Sequence, residues 1–128
     1  MPTTRPPRLS VRADPGMGRG VFAAEDIRRG RVIESCPVVP LAPGEERDVT
    51  GGTLESYLFA WGDGGDRFCL ALGYGSLYNH SAAPNASFET DLGRARIVFR
   101  AVRDIPAGRQ IFIDYGWQAA DYHFADGP

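Results

Sequence analysis

Three short stretches carry the side chains that could do chemistry. In "NHSAAPN", residues 79–85, an amide and an imidazole stand side by side at Asn79 and His80, and Pro84-Asn85 sets a second bend. If such a loop is buried, its polar groups must be paired, with protein or with a ligand. In "IFIDYGW", Tyr115 ends an apolar run just before Gly116, where its hydroxyl can enter a pocket while its ring packs. With an ordinary pKa of about 10, that hydroxyl is a poor base at neutral pH. In "GMGRGVFA" the glycines at 16, 18 and 20 fall at every second position. That is not the G-x-G-x-x-G of a dinucleotide turn, and no helical pattern follows. Glycines at 18 and 20 permit either close backbone approach to a ligand or a turn between two strands.

Several other functions are disfavoured by the same sequence. Asn79-His80-Ser81 and Asn85-Ala86-Ser87 would be glycan acceptors in a secreted protein. The N-terminus, however, carries Arg and Pro and no apolar run, and no stretch approaches a membrane span. A reduced, cytoplasmic location with no membrane partner is expected. Cys36 and Cys69 lack metal-type spacing and read as small buried apolar residues, so no metal site is expected. The net charge is −2, from 14 basic and 16 acidic residues, which argues against direct nucleic-acid binding. Every basic residue is arginine; the chain has no lysine.

The elements that must position these groups are short. At 128 residues one domain is expected, large enough for a core without staples. Residues 1–8 read as a flexible lead-in and 9–128 as the domain. "LSVRA", "GVFAA", "RVIESC", "RFCLAL", "RARIVFRAV" and "RQIFIDY" read as strands separated by turn signals. "RVIESC" is expected to stop before Pro37, with "VVPLAP" as a separate extended segment. One helix is expected in "TLESYLFAW", capped by Thr53, with Leu54, Tyr57, Leu58 and Trp61 on one face. Residues 23–33 and 101–111 share A-x-x-D-I-x-x-G-R-x-I, which suggests two similar hairpin units closed at Gly30 and Gly108.

Taken in order, G-x-G-V-F-A, N-H-S-x-x-P-N and I-x-I-x-Y-G resemble the SET domain of protein-lysine methyltransferases. The resemblance runs from about residue 9 to 117 and is strongest to the compact viral and bacterial members without zinc modules. It implies a mainly β fold: a β-clip of short twisted sheets with one short helix and a C-terminal pseudoknot. It implies S-adenosyl-L-methionine as cofactor and a lysine-bearing protein or peptide as substrate, a histone or another basic protein. Gly18, Arg19, Gly20, Asn79 and His80 would hold the cofactor, with Tyr78 and Trp117 as walls. Tyr115 would be the catalytic tyrosine, with Tyr57 as the second catalytic residue. Tyr57, Ile113 and Tyr115 would line the lysine channel, Tyr57 matching a channel tyrosine of the family. Trp117, Tyr122, His123 and Phe124 would form an aromatic lid, and the compact relatives imply a homodimer. The competing expectation is a β-clip module that binds cofactor or peptide without catalysis.

Overall fold

The computed structural model describes residues 5–64 and 66–115. Among these, nine strands follow in order: β1 Leu9–Asp14, β2 Gly18–Ala23, β3 Val32–Pro40, β4 Leu58–Trp61, β5 Arg67–Ala71, β6 Asn79–His80, β7 Ala86–Asp91, β8 Arg96–Ala101 and β9 Phe112–Ile113. They build a β1-β2 ribbon, a five-stranded sheet ordered β4-β5-β3-β8-β7, and a β6-β9 pair. The first two are antiparallel; β6 and β9 run parallel. The mainly β expectation holds.

Strand β3 runs through Pro37, where the sequence suggested a stop. It pairs with β8 over Val32–Pro37 and with β5 over Val38–Pro40. The proline therefore falls where the strand exchanges one partner for another, a place that tolerates a missing donor.

The expected helix is mostly a strand. Thr53–Tyr57 makes one 3-10 turn, and Leu58–Trp61 is β4, paired with β5 from Leu58↔Leu70 to Trp61↔Arg67. Thr53 is not its cap; Gly52 is, while the Glu55 carboxylate accepts from the Gly51 N–H at 2.9 Å. Leu54 is half exposed, whereas Phe59, Ala60 and Trp61 are consecutively buried, which a helix face cannot do. An aromatic-rich run with a waiting partner strand favours the ladder over the helical period.

The repeated pattern does not make two hairpins. The two copies pair with each other. Ile27 and Ile105 exchange both backbone hydrogen bonds at 2.8 Å. Around them the contacts come in matching sets. Gly30 N–H donates to Ala101 O (2.8 Å) and Gly108 N–H to Ala23 O (2.7 Å), while Ala101 N–H donates to Arg31 O (3.0 Å) and Ala23 N–H to Arg109 O (2.9 Å). The carboxylates are swapped as well: Asp104 accepts from Arg29 N–H at 2.8 Å, and Asp26 from Ala107 N–H at 2.9 Å. The result is a clasp with local two-fold character.

The core lies on this clasp and the inner face of the large sheet, with Val21, Ile27, Ile33, Ile97, Phe99, Ile105, Ile111 and Ile113 essentially inaccessible. Cys36 and Cys69 are free and fully buried, and burial pushes the Cys69 thiol up to about 12, as expected of inert packing residues. The lead-in expectation gives way over residues 5–8. Pro7 is buried, Arg5 grips the Glu25 carboxylate through two 3.1 Å bonds, and Arg8 N–H donates to it at 2.6 Å.

Candidate active site

A cleft of about 570 Å³ opens where the β1-β2 turn, the 3-10 turn before β4 and the 76–80 segment meet the end of the C-terminal strand. Gly18, Arg19, Tyr57, Tyr78, Asn79, His80 and Tyr115 all line it, so most of the residues singled out in the sequence converge. They come from four separate segments of the chain.

The parallel pair is what brings the two main motifs together. Asn79 lies opposite Phe112 and His80 opposite Ile113. Asn85 grips the same strand from beyond, donating to Gln110 O at 2.9 Å and accepting from Phe112 N–H at 2.8 Å. This tuck places Tyr115 directly beside His80. The imidazole Nδ1 accepts the Tyr115 N–H at 2.9 Å, and the two rings lie 5.1 Å apart. An accepting Nδ1 carries no proton, so Asp114 at 3.7 Å neighbours a neutral ring rather than completing an ion pair. The remaining ring nitrogen, Nε2, is then a donor.

The Tyr115 hydroxyl donates to the Tyr78 carbonyl at 2.6 Å. Burial, with a smaller contribution from Tyr57, pushes its pKa up to about 12. The phenol therefore stays protonated at neutral pH. It and the carbonyl form a fixed pair of oxygens, each of which keeps acceptor capacity for a visitor in the cleft.

Three expectations land elsewhere. Tyr78 is not an aromatic wall: its ring is buried against Phe99 at 4.5 Å, and its hydroxyl donates to Glu34 at 2.7 Å. Its carbonyl is what contributes to the site. Gly20 is buried behind the cleft, where a Cβ would collide with Gln110 Oε1 and lie 2.8 Å from Asn79 Nδ2. Ile113 has no accessible surface and packs in the core, next to the site rather than on its wall. Trp117, Tyr122, His123 and Phe124 lie outside the described residues, and so does the expected lid.

Sequence reasoning missed Asp14, Asn85 and Gln110. Asn85 closes the N-H-S-x-x-P-N motif, but nothing in the sequence points to its grip on residues 110–112. Gln110, a polar residue inside the apolar run "RQIFID", was the one signal that could have been followed.

Comparison with known proteins agrees with this geometry. The SET domain pattern matches residues 18–116. The chain is 34% identical over 117 residues to a Schizosaccharomyces pombe histone-lysine N-methyltransferase specific for H3 lysine-37, covering 91% of this chain and 78% of that one. The structure superposes on a Plasmodium falciparum candidate histone methyltransferase with a TM-score of 0.69 and 31% identity, over 88% of this chain and 95% of that one. A Chaetomium thermophilum Polycomb Repressive Complex 2, autoinhibited and bound to S-adenosylmethionine, shares the fold at a TM-score of 0.71 and 24% identity, over 88% of this chain and 16% of that one. With the motifs, the mainly β clasp and the cleft in agreement, the chain belongs to the SET domain family of S-adenosylmethionine-dependent protein-lysine methyltransferases.

Proposed function

We propose that the cleft holds S-adenosylmethionine against the β1-β2 turn, Asn79 and His80, and that Tyr115 orients the lysine amine of a histone or other basic protein. The single observation that carries this reading is the Tyr115 hydroxyl fixed on the Tyr78 carbonyl inside the cleft. The residues suit the cofactor. The volume falls in the range of about 300–1,000 Å³ common for small-molecule sites. The Asn79 oxygen and the backbone carbonyls offer acceptors to a cationic, amine-bearing ligand, and His80 Nε2 offers a donor.

The chemistry S-adenosylmethionine supplies when bound is a methyl group on a positively charged sulfur. The protein has mainly to position a neutral amine in line with it. Tyr57 and Tyr115 provide aromatic faces for the lysine stem and its ammonium. The oxygens of Tyr115 and Tyr78 orient the amine and steady the positive charge as it redistributes. With its pKa raised to about 12, Tyr115 aligns rather than deprotonates, so the amine loses its proton to water.

The histone reading follows the names of the relatives, and a cytoplasmic homodimer remains part of the same proposal. Tyr115→Phe tests the mechanism, since it keeps the ring and removes the oxygen. Single-turnover methyl transfer to histone peptides should fall by roughly 10²–10³, the range for losing one preorganised hydrogen-bonding group. Cofactor affinity should hardly change. A folded variant with undiminished turnover rejects the role of Tyr115, and a wild type that modifies no histone peptide but does modify other basic proteins rejects the histone substrate.

A further inference from the structure

We propose that Gln110 is a positioning residue that fixes which atom of Asn79 faces the cofactor, by relaying the polarity of Asp14 across the back of the site. The inference rests on the reading of Asn79 as a cofactor ligand.

Gln110 Nε2 donates to Asp14 Oδ2 at 2.6 Å, and Gln110 Oε1 accepts from Asn79 Nδ2 at 2.8 Å. Asn79 Nδ2 also donates to Arg19 O at 3.0 Å. Both amide hydrogens of Asn79 are thus committed, and its oxygen is left as the atom offered to the cleft.

The direction of this chain is not arbitrary. The Gln110 bond, then the Gly16 N–H, hold the Asp14 carboxyl below its usual range, so it is ionised at neutral pH. An ionised carboxylate only accepts. Gln110 must therefore turn its NH₂ toward Asp14 and its oxygen toward Asn79, which forces the Asn79 oxygen forward. Only a side chain that donates at one end and accepts at the other can pass this polarity on. Asp14 also accepts from Gly16, at the start of the turn that lines the cleft, so one residue ties the turn to the amide. The buried Gly20 leaves room for both amides, since a Cβ there would run into them.

Gln110→Glu keeps an acceptor for Asn79 but sets two carboxylates against each other, and their repulsion drives the introduced side chain off Asp14 and away from Asn79 Nδ2, which frees the Asn79 amide to turn. At about pH 8, with both ionised, S-adenosylhomocysteine binding by calorimetry should weaken roughly tenfold or more. At about pH 5 a proton shared between the introduced carboxylate and Asp14 restores the donor, and affinity should return to within about threefold of wild type. The charged and titratable groups on the surrounding elements are Arg12 and Asp14 on β1, Arg19 on β2, His80 on β6, and Arg109 beside Gln110. Apart from the substituted position these groups are common to both proteins, so the ratio of affinities isolates the carboxylate pair.

The double variant Asp14→Asn/Gln110→Glu supplies a donor from position 14 and should restore binding at pH 8. Should the single variant not fold, the double variant decides. Wild-type-like binding by Gln110→Glu at pH 8, or a double variant that is unfolded or binds no better than the single, overturns the relay. Asn79→Ala separates the two readings. If it binds normally, the cofactor assignment itself is wrong; if it binds weakly while Gln110→Glu binds normally, only the relay fails.

Discussion

The two copies of A-x-x-D-I-x-x-G-R-x-I share a backbone and differ in what their variable positions do. The shared residues build the clasp: Ile27 with Ile105, Asp26 with Asp104, Gly30 with Gly108. Where the first copy has Glu25, the second has Arg103. Glu25 pins the N-terminal segment through Arg5 and Arg8, and lies 4.0 Å from Arg31. Where the first copy has Val32, exposed and paired with Arg100, the second has Gln110, half-buried and bonded to Asp14 and Asn79. One copy thus secures the chain's beginning, and the other serves the site. A scaffold fixed by a few repeated residues leaves its remaining positions free to acquire separate tasks.

The largest effects should fall on the shared core. Ile27→Ala and Ile105→Ala each remove a fully buried side chain and should cost about 2–5 kcal/mol in denaturant unfolding. Because the two residues are paired, the double variant should depart from additivity by roughly 0.5–3 kcal/mol. A heavy loss at one and none at the other would break the equivalence.

The turns should give a smaller, matched response. Gly30 and Gly108 adopt φ of +89° and +91°, and a Cβ at either would meet nothing within 4 Å. Alanine therefore meets only backbone strain, about 1–2 kcal/mol at each site. The copies should separate in function: only Gly108→Ala should weaken S-adenosylhomocysteine binding, because Gly108 O accepts from Arg12 and Gln110 lies two residues on. Equal effects on binding would contradict the division of labour.

The smallest effect distinguishes the copies by pH. The Arg5 hydrogen bond, then the Arg8 N–H, lower the Glu25 pKa to about 2, against about 4.3 for an unperturbed glutamate. A depressed carboxylate stabilises the fold above its unfolded pKa, and that contribution disappears as pH falls through the folded one. Stability should therefore decline between about pH 4.3 and 2 in wild type and less steeply in Glu25→Gln. Arg103→Gln should leave the slope unchanged, as followed by thermal unfolding across the acid range.

The helix expected at 53–61 shows where sequence patterns mislead. Leu54, Tyr57, Leu58 and Trp61 match a helical period, yet the consecutive burial of Phe59, Ala60 and Trp61 follows from pairing with β5. Periodicity reads one segment at a time, whereas strand pairing depends on a partner several residues away. Tyr78 misled for a related reason. Its ring could equally have faced the ligand or the core, and packing on Phe99 with a bond to Glu34 decided for the core.

The chemistry available is legible in the residues alone: the glycines of the first turn, the Asn79-His80 pair, Tyr115 at a strand end, and the repeated pattern that marks the clasp. These are properties of residue type and local spacing, legible without a fold. Direction and partnership came from the folded chain. It set the copies against each other, laid β6 parallel to β9 so that His80 meets Tyr115, and ran a chain of hydrogen bonds from Asp14 through Gln110 to Asn79. Hydrogen bonds between residues far apart in the chain depend on distances of a few ångströms, and only the folded backbone fixes those.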